Sequence, residues 1–269
     1  MRAMALVALH VFRDSIRDKV LYSIVAFAVV LMATSFLVGQ LTAGQDLKII
    51  KDLGLAAMSL FGLFIAIFIG VGLVAREIDR RSIYAVLAKP VRRHEFIVGK
   101  YVGLVGTLLV NLAVMTVAYY LVLAYMGWVL PESALVAAPA PPLDPRLLLA
   151  IALIACELAL VTAVAIFWST FSSSALVSAG LTAGLYIAGQ FGGDLKNIGT
   201  AVDSPVAAAV GRAVYYVLPN FAAFDIKAQV VHALPIERGY VLLTTGYALV
   251  YIALLLAAAV VVFSRRDLK

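Results

Sequence analysis

The chain has 269 residues, of which 64% are apolar and 13% charged, against roughly 45–50% and 25% in an average soluble domain. That composition excludes an ordinary soluble globular core. Basic residues exceed acidic ones by 21 to 15, but they cluster in short segments between apolar runs, so the charge reads as membrane topology rather than nucleic-acid binding.

The first 19 residues pattern as an amphipathic helix. His10, Arg13, Asp14, Arg17 and Asp18 share one face, and Ala5, Ala8, Leu9, Phe12 and Ile16 another, which predicts a helix lying along the cytoplasmic interface. The run from Val20 to Gly39 is too long for a signal-peptide core and no small-x-small cleavage pattern closes it, so it reads as a retained span.

A helix needs about 20 apolar residues to cross the hydrocarbon core. On that criterion the expected fold is all-α, a single transmembrane domain over residues 1–269 with six spans: 20–39, 53–75, 101–126, 147–168, 175–193 and 241–263. The fourth and fifth are divided at the polar cluster Ser169, Thr170, Ser172, Ser173 and Ser174. With the N-terminus inside, the cytoplasmic segments hold 14 of the lysines and arginines and the opposite side 7. This bias places both termini in the cytoplasm of an inner membrane. Cys156 is the single cysteine and can form no internal disulfide.

The segment 76–100 after the second span carries more order than topology alone needs. Ile83, Val86 and Leu87 share a helical face, Pro90 ends that helix, and Phe96 begins the next. A short amphipathic helix held just below the membrane suits a groove on a partner. Glu77 stands at its hinge, spaced to pair with Arg80 or Arg81, and Lys89, Arg92 and Arg93 supply the remaining charge. Later in the chain, the prolines at 131, 139, 141, 142 and 145 exclude a regular helix and mark an external loop. In the external segment 194–240, Val206 to Leu218 and Phe221 to Leu234 are apolar but too short to span. They predict a pair of helices that dip into the outer leaflet or cap the bundle.

Several chemistries are not encoded. No G-x-x-x-x-G-K-[ST] loop occurs, so the chain is not expected to hydrolyse a nucleotide by itself. Gly70, Gly72 and Ala75 fit G-x-G-x-x-A only inside a membrane span. His10, His94 and His232 lack metal-ligand spacing, and no resident metal or cofactor is expected. Gly99-x-x-x-Gly103 and Gly180-x-x-x-Gly184 allow close helix approach, within the bundle or between subunits. Glu157 is the one ionisable group inside an expected span. It should face the bundle interior, protonated or paired with a neighbour such as Asn111 or Thr162, as a functional acid or as a satisfied structural hydrogen bond.

The sequence resembles the permease subunits of ABC-2 type transporters. The resemblance is carried by the amphipathic start running into RDKVLYS, the glutamate, short helix and LAKPVRR after the second span, and the glycine-lysine opening the third. VLPN before the external segment and the terminal FSRRDLK complete it. Within that family it is similar to small six-span permeases of copper-processing and nitrous-oxide-reductase maturation systems. The resemblance implies a homodimer or pseudodimer of permeases, bound to two separate ATPase subunits that carry ATP and Mg. Its transport path would run along the dimer interface, lined by the first, second and fifth spans. It also implies an ATPase-docking surface made by the N-terminal helix and by Glu77, Arg80, Arg81, Ile83, Leu87, Lys89, Pro90, Arg92 and Arg93. The competing reading is a secondary transporter driven by an ion gradient, which would place several ionisable groups or repeated halves at mid-membrane.

Overall fold

The computed structural model describes residues 2–16, 46–79, 92–131, 139–172, 174–192 and 217–265, with the single positions 22, 25, 26, 29, 30, 135 and 215. These residues form α1 (Arg2–Ile16), α2 (Asp46–Asp79), α3 (Arg93–Val129), α4 (Arg146–Phe171) and α5 (Ala175–Gln190). A 3-10 turn (Phe221–Phe224), α6 (Lys227–Val231) and α7 (Arg238–Arg265) follow. Among the described residues four helices, α2, α3, α4 and α7, are long and apolar enough to cross a membrane. They coincide with the expected spans 53–75, 101–126, 147–168 and 241–263. The expected span 20–39 lies outside the described residues apart from five positions, as does most of Val206 to Leu218.

The helices overrun the apolar runs that mark them. α3 has 37 residues, about 55 Å at 1.5 Å per residue, because it starts at Arg93 rather than at the edge of the charge-free stretch. Glu95 reaches back to accept the Arg92 N–H at 3.3 Å, the carboxylate half of a capping box. α2 likewise continues through Asp79. The expected segment 76–100 is therefore helical at both ends, and only residues 80–91 fall outside the described chain.

α4 is the central helix, packed against α2, α3, α5 and α7, and its buried residues lie all round it, as a helix shielded from lipid requires. By contrast α3 and α7 leave Val117, Leu121, Trp128, Leu242, Leu249 and Leu254 exposed, a surface matched to acyl chains. Three hydroxyls inside the bundle bond to their own helix: Thr107 donates to the Gly103 carbonyl at 3.0 Å, Thr162 to Leu158 at 2.8 Å and Ser169 to Ala165 at 2.7 Å. Each is thereby satisfied without water. α4 is capped by Ser172 and α5 by Ser174, both in the expected serine cluster, while Ser169 and Thr170 remain in the last turn of α4.

Two apolar cores hold the bundle. The larger joins α2, α3, α4 and α7 with the 3-10 turn and α6. The smaller sits at the opposite end and gathers Val11, Phe96, Ile97, Leu104, Ile166, Ala259 and Phe263. α1 and the C-terminal turn of α7 both contribute to this second core, so they share one end of the bundle, called the α1 end below. The other is the cap end.

At the cap end the proline-rich loop is fastened by a buried lysine. Lys51 is 2% exposed and donates to the carbonyls of Pro141 at 2.7 Å and Ala140 at 3.3 Å. Tyr119 donates to the Lys51 carbonyl at 3.1 Å. Charge-assisted bonds of this kind contribute about 1.5–3 kcal/mol each. Lys51→Met, which keeps the stem but not the donor, should lower the unfolding free energy by about 2 kcal/mol, read as a drop in thermal midpoint in detergent.

Candidate functional site

The α1 end carries the residues expected to meet a partner. α1 rests on α3 where two glycines leave room for its backbone. A Cβ at Gly103 would lie 2.6 Å from the Ala8 carbonyl oxygen, and one at Gly99 2.9 Å from that of Met4, both inside contact distance. The Gly99-x-x-x-Gly103 pair is thus the seat of α1 within the chain. This divides the apolar face expected for α1. Val11 is buried and Ala8 and Phe12 are partly covered by α3, while Ala5, Leu6 and Leu9 stay exposed together with His10, Arg13 and Asp14. One strip faces protein, one is free for lipid, and one is polar.

Beside α1, Arg93 donates from Nη1 to the Ser264 carbonyl at 2.6 Å and to the Phe263 carbonyl at 3.1 Å. These are orphan acceptors in the last turn of α7, where a cation is also favoured by the helix dipole. Phe96 stacks on Phe263 with centroids 5.9 Å apart. Arg92 stands exposed just before α3. Arg93 therefore has a structural task in addition to the docking role expected of it. Glu77 lies in the helical backbone near the end of α2. Arg80, Arg81, Ile83, Leu87, Lys89 and Pro90 lie outside the described residues.

Glu157 does face the interior, at 2% exposure, but neither expected partner reaches it. Asn111 spends its amide on the Thr107 carbonyl at 2.7 Å and Thr162 its hydroxyl on Leu158. Its partners come from α5: Tyr186 donates its hydroxyl to Glu157 Oε1 at 3.1 Å and Gln190 its amide to the same oxygen at 2.9 Å. The Gln190 amide also donates to the Tyr186 hydroxyl at 2.9 Å. Both amide hydrogens and the phenolic hydrogen are thereby used inside one three-membered ring. Tyr186 and Gln190 are four residues apart on one helical face, a spacing visible in the sequence. Their pairing with a residue about 30 positions earlier is not.

The ring explains where α5 stops. The expected span 175–193 is a helix of 16 residues, about 24 Å long and short of the roughly 30 Å core. Running antiparallel to α4, it ends level with Glu157, halfway along that helix. The chain over 219–231 fills the space beyond. Its 3-10 turn and α6 pack against α2, α4 and the end of α5. A Cβ at Gly189 would overlap the Pro219 carbonyl oxygen and the Phe221 ring, so the cap sits directly on bare backbone there. Tyr247 of α7 holds the other side by accepting the Asn220 N–H at 2.8 Å, and Tyr240 donates to Ala223 at 2.7 Å. The expected Phe221 to Leu234 helix is broken into the 3-10 turn and the five-residue α6, and it caps the bundle. Asp225 and Lys227 of the cap pair at 3.5 Å. No group of three or more metal-ligating side chains occurs among the described residues.

Removing the acceptor should cost more than removing the charge. Glu157→Leu strands buried donors on Tyr186 and Gln190 and is expected to lose about 2–3 kcal/mol of stability. Glu157→Gln keeps an acceptor oxygen and should lose about 1 kcal/mol or less. Chemical denaturation of both variants in the same detergent checks the order.

Long apolar helices joined in antiparallel sequence, with lipid-matched outer faces, define a multi-pass α-helical membrane protein. A family model described as ABC-2 family transporter protein matches residues 5–268. The chain belongs to the ABC-2 family of transporter proteins, as a membrane subunit. No curated protein matches it.

Proposed function

We propose that the chain is the membrane-spanning permease subunit of an ATP-driven exporter in the inner membrane, powered by two copies of a separate ATPase that bind ATP and Mg. The observation that carries this reading is the family match over nearly the whole chain, joined to four apolar helices that expose lipid-facing surface. The α1 end is cytoplasmic, because the segments on its side, among them those with Arg13, Arg92, Arg93 and Arg265, hold 14 of the lysines and arginines against 7 on the other. The ATPase docks there, on the polar strip of α1 and on the segment 76–100. Hydrolysis moves that surface, and α3 and α7 carry the movement into the membrane through the Arg93 contact.

The permease works as a dimer, with the path along the interface of the first, second and fifth spans. α5 supports this, since it leaves Leu176, Gly180, Gly184 and Ile187 on an open face, with nothing described within 4 Å of a Cβ at either glycine. Small residues on such a face permit close approach of a second copy. The gradient-driven alternative has little support: Glu157 is the one acid midway along an expected span, and the sequence shows no repeated halves. Affinity purification of the chain from its native membrane tests the proposal. It should bring down a separate ATPase, with hydrolysis present in the complex and absent from the permease alone. Purification of an intact, transport-competent chain without any ATPase would refute it.

A further inference from the structure

We propose that Tyr186 is a positioning residue that ties the buried Glu157 carboxyl to the cap, so that the cap over 219–231 lifts only when the Glu157–Tyr186–Gln190 ring opens. This goes beyond the permease assignment and rests on it only for which side of the membrane the cap faces. Tyr186 touches both parts. Its hydroxyl donates to Glu157 at 3.1 Å, and its ring lies 5.1 Å from that of Phe221, a residue with 0% exposure at the heart of the cap. Gly189, between the two ring members of α5, carries the Pro219 carbonyl and the Phe221 edge directly on its backbone.

The geometry leaves little freedom for either half to move alone. With every ring hydrogen spent internally, rotating the Tyr186 side chain breaks one bond to Glu157 and removes the acceptor used by Gln190. Keeping the ring closed holds the phenol where Phe221 needs it. On the far side α7 holds the cap by two hydrogen bonds at its rim, Asn220 N–H to Tyr247 and the Tyr240 hydroxyl to the Ala223 carbonyl, and by the Phe224 ring 6.4 Å from Tyr247. The α5 side is thus the side on which a buried polar network controls release. What matters in Glu157 is an acceptor oxygen at that point, not its negative charge.

The test is the rate at which Ile226→Cys, on the buried face of the cap where the native side chain is 2% exposed, reacts with a soluble maleimide in the full-length purified chain carrying Cys156→Ser. Tyr186→Phe and Glu157→Leu should each raise that rate about tenfold or more, the population shift allowed by losing the two buried hydrogen bonds that each substitution removes from the ring. Together they should raise it no further, since each opens the same ring. Glu157→Gln should stay within about twofold of the parent. If Glu157→Leu is not recovered folded, Gln190→Leu takes its place. Phe263→Ala, which loosens the remote α1-end core, should lower the melting temperature and leave the labelling rate alone. Unchanged rates in either single variant, effects that multiply in the double variant, or an equal rise in Phe263→Ala would each overturn the proposal. Labelling requires neither ATPase nor transport, so its failure leaves the permease assignment standing, and the absence of an ATPase partner leaves the labelling result standing.

Discussion

Gly103→Leu is expected to undock α1 while leaving the spanning helices assembled. The leucine side chain must enter space held by the Ala8 carbonyl and the Val11 side chain, whose nearest atoms lie 2.6 and 2.9 Å from a Cβ at this position. A backbone carbonyl cannot rotate away as a flexible side chain can, so the whole of α1 has to shift. Overpacking of this kind costs about 1–3 kcal/mol. The cost falls on the small core around Val11, Phe96 and Phe263, because the large core uses no residue of α1. Val11→Cys, placed where the native side chain is 4% exposed, should become freely reactive to thiol reagents in the Gly103→Leu background. ATP-driven transport should fall to near background, since the docking surface proposed above would lose one of its two parts. The same substitution at Gly184, where nothing described lies within 4 Å of a Cβ, should leave α1 docked.

Glu77→Ala should separate assembly from coupling. If the basic residues of the segment 76–100 served only to set orientation, replacing an acid there would be harmless, because acidic residues contribute little to topology. A pairing of Glu77 with Arg80 or Arg81 on an exposed helix would be worth only about 0.3–0.5 kcal/mol, so insertion and melting temperature should hardly change. A docking helix that passes on movement must hold one geometry, however, and allosteric coupling energies correspond to about 5–150-fold in linked equilibria. Coupled transport is therefore expected to fall about tenfold or more in Glu77→Ala, with ATPase subunits still bound. Arg92→Lys and Arg93→Lys should be tolerated, the second because an ammonium can still donate to the Phe263 and Ser264 carbonyls. Wild-type transport by Glu77→Ala would leave the segment with a topological role alone.

The sequence was most informative where a local rule decides. Uninterrupted apolar runs located α2, α3, α4 and α7, since crossing lipid imposes a length and a composition that few residues can evade. The same rule placed helix ends poorly. Hydropathy measures what lipid tolerates, whereas α3 starts at Arg93 because Glu95 reaches back to Arg92 and Arg93 bonds α7. The interior position of Glu157 was likewise readable, because a charge at that depth has nowhere else to go. Its partners were not. Asn111 and Thr162 were plausible by residue type, but each found an acceptor within its own helix, and the true donors lie on a helix that turns back beside α4.

The two glycine pairs teach the same lesson. Gly99-x-x-x-Gly103 and Gly180-x-x-x-Gly184 are equivalent as patterns, yet the first carries α1 and the second faces open space. What distinguishes them is which helix the connecting chain delivers to each face, a property of topology rather than of spacing. Early termination of α5 belongs to this class too. A charge-free run extends to Gly193, but the helix stops at Gln190, where the ring with Glu157 closes and the chain over Pro219 and Phe221 takes over the remaining depth.

The central claim is that ATP hydrolysis by a separate subunit enters this chain at the α1 end. Photo-crosslinking groups placed singly at His10, at Arg92 and at Leu143 in the assembled complex test it most directly, because the first two stand on the α1 end and the third is exposed at the cap end. The account predicts covalent adducts between the ATPase and positions 10 and 92, and none from position 143. Adducts formed from position 143, or an ATPase that reacts with neither position 10 nor position 92, would contradict it.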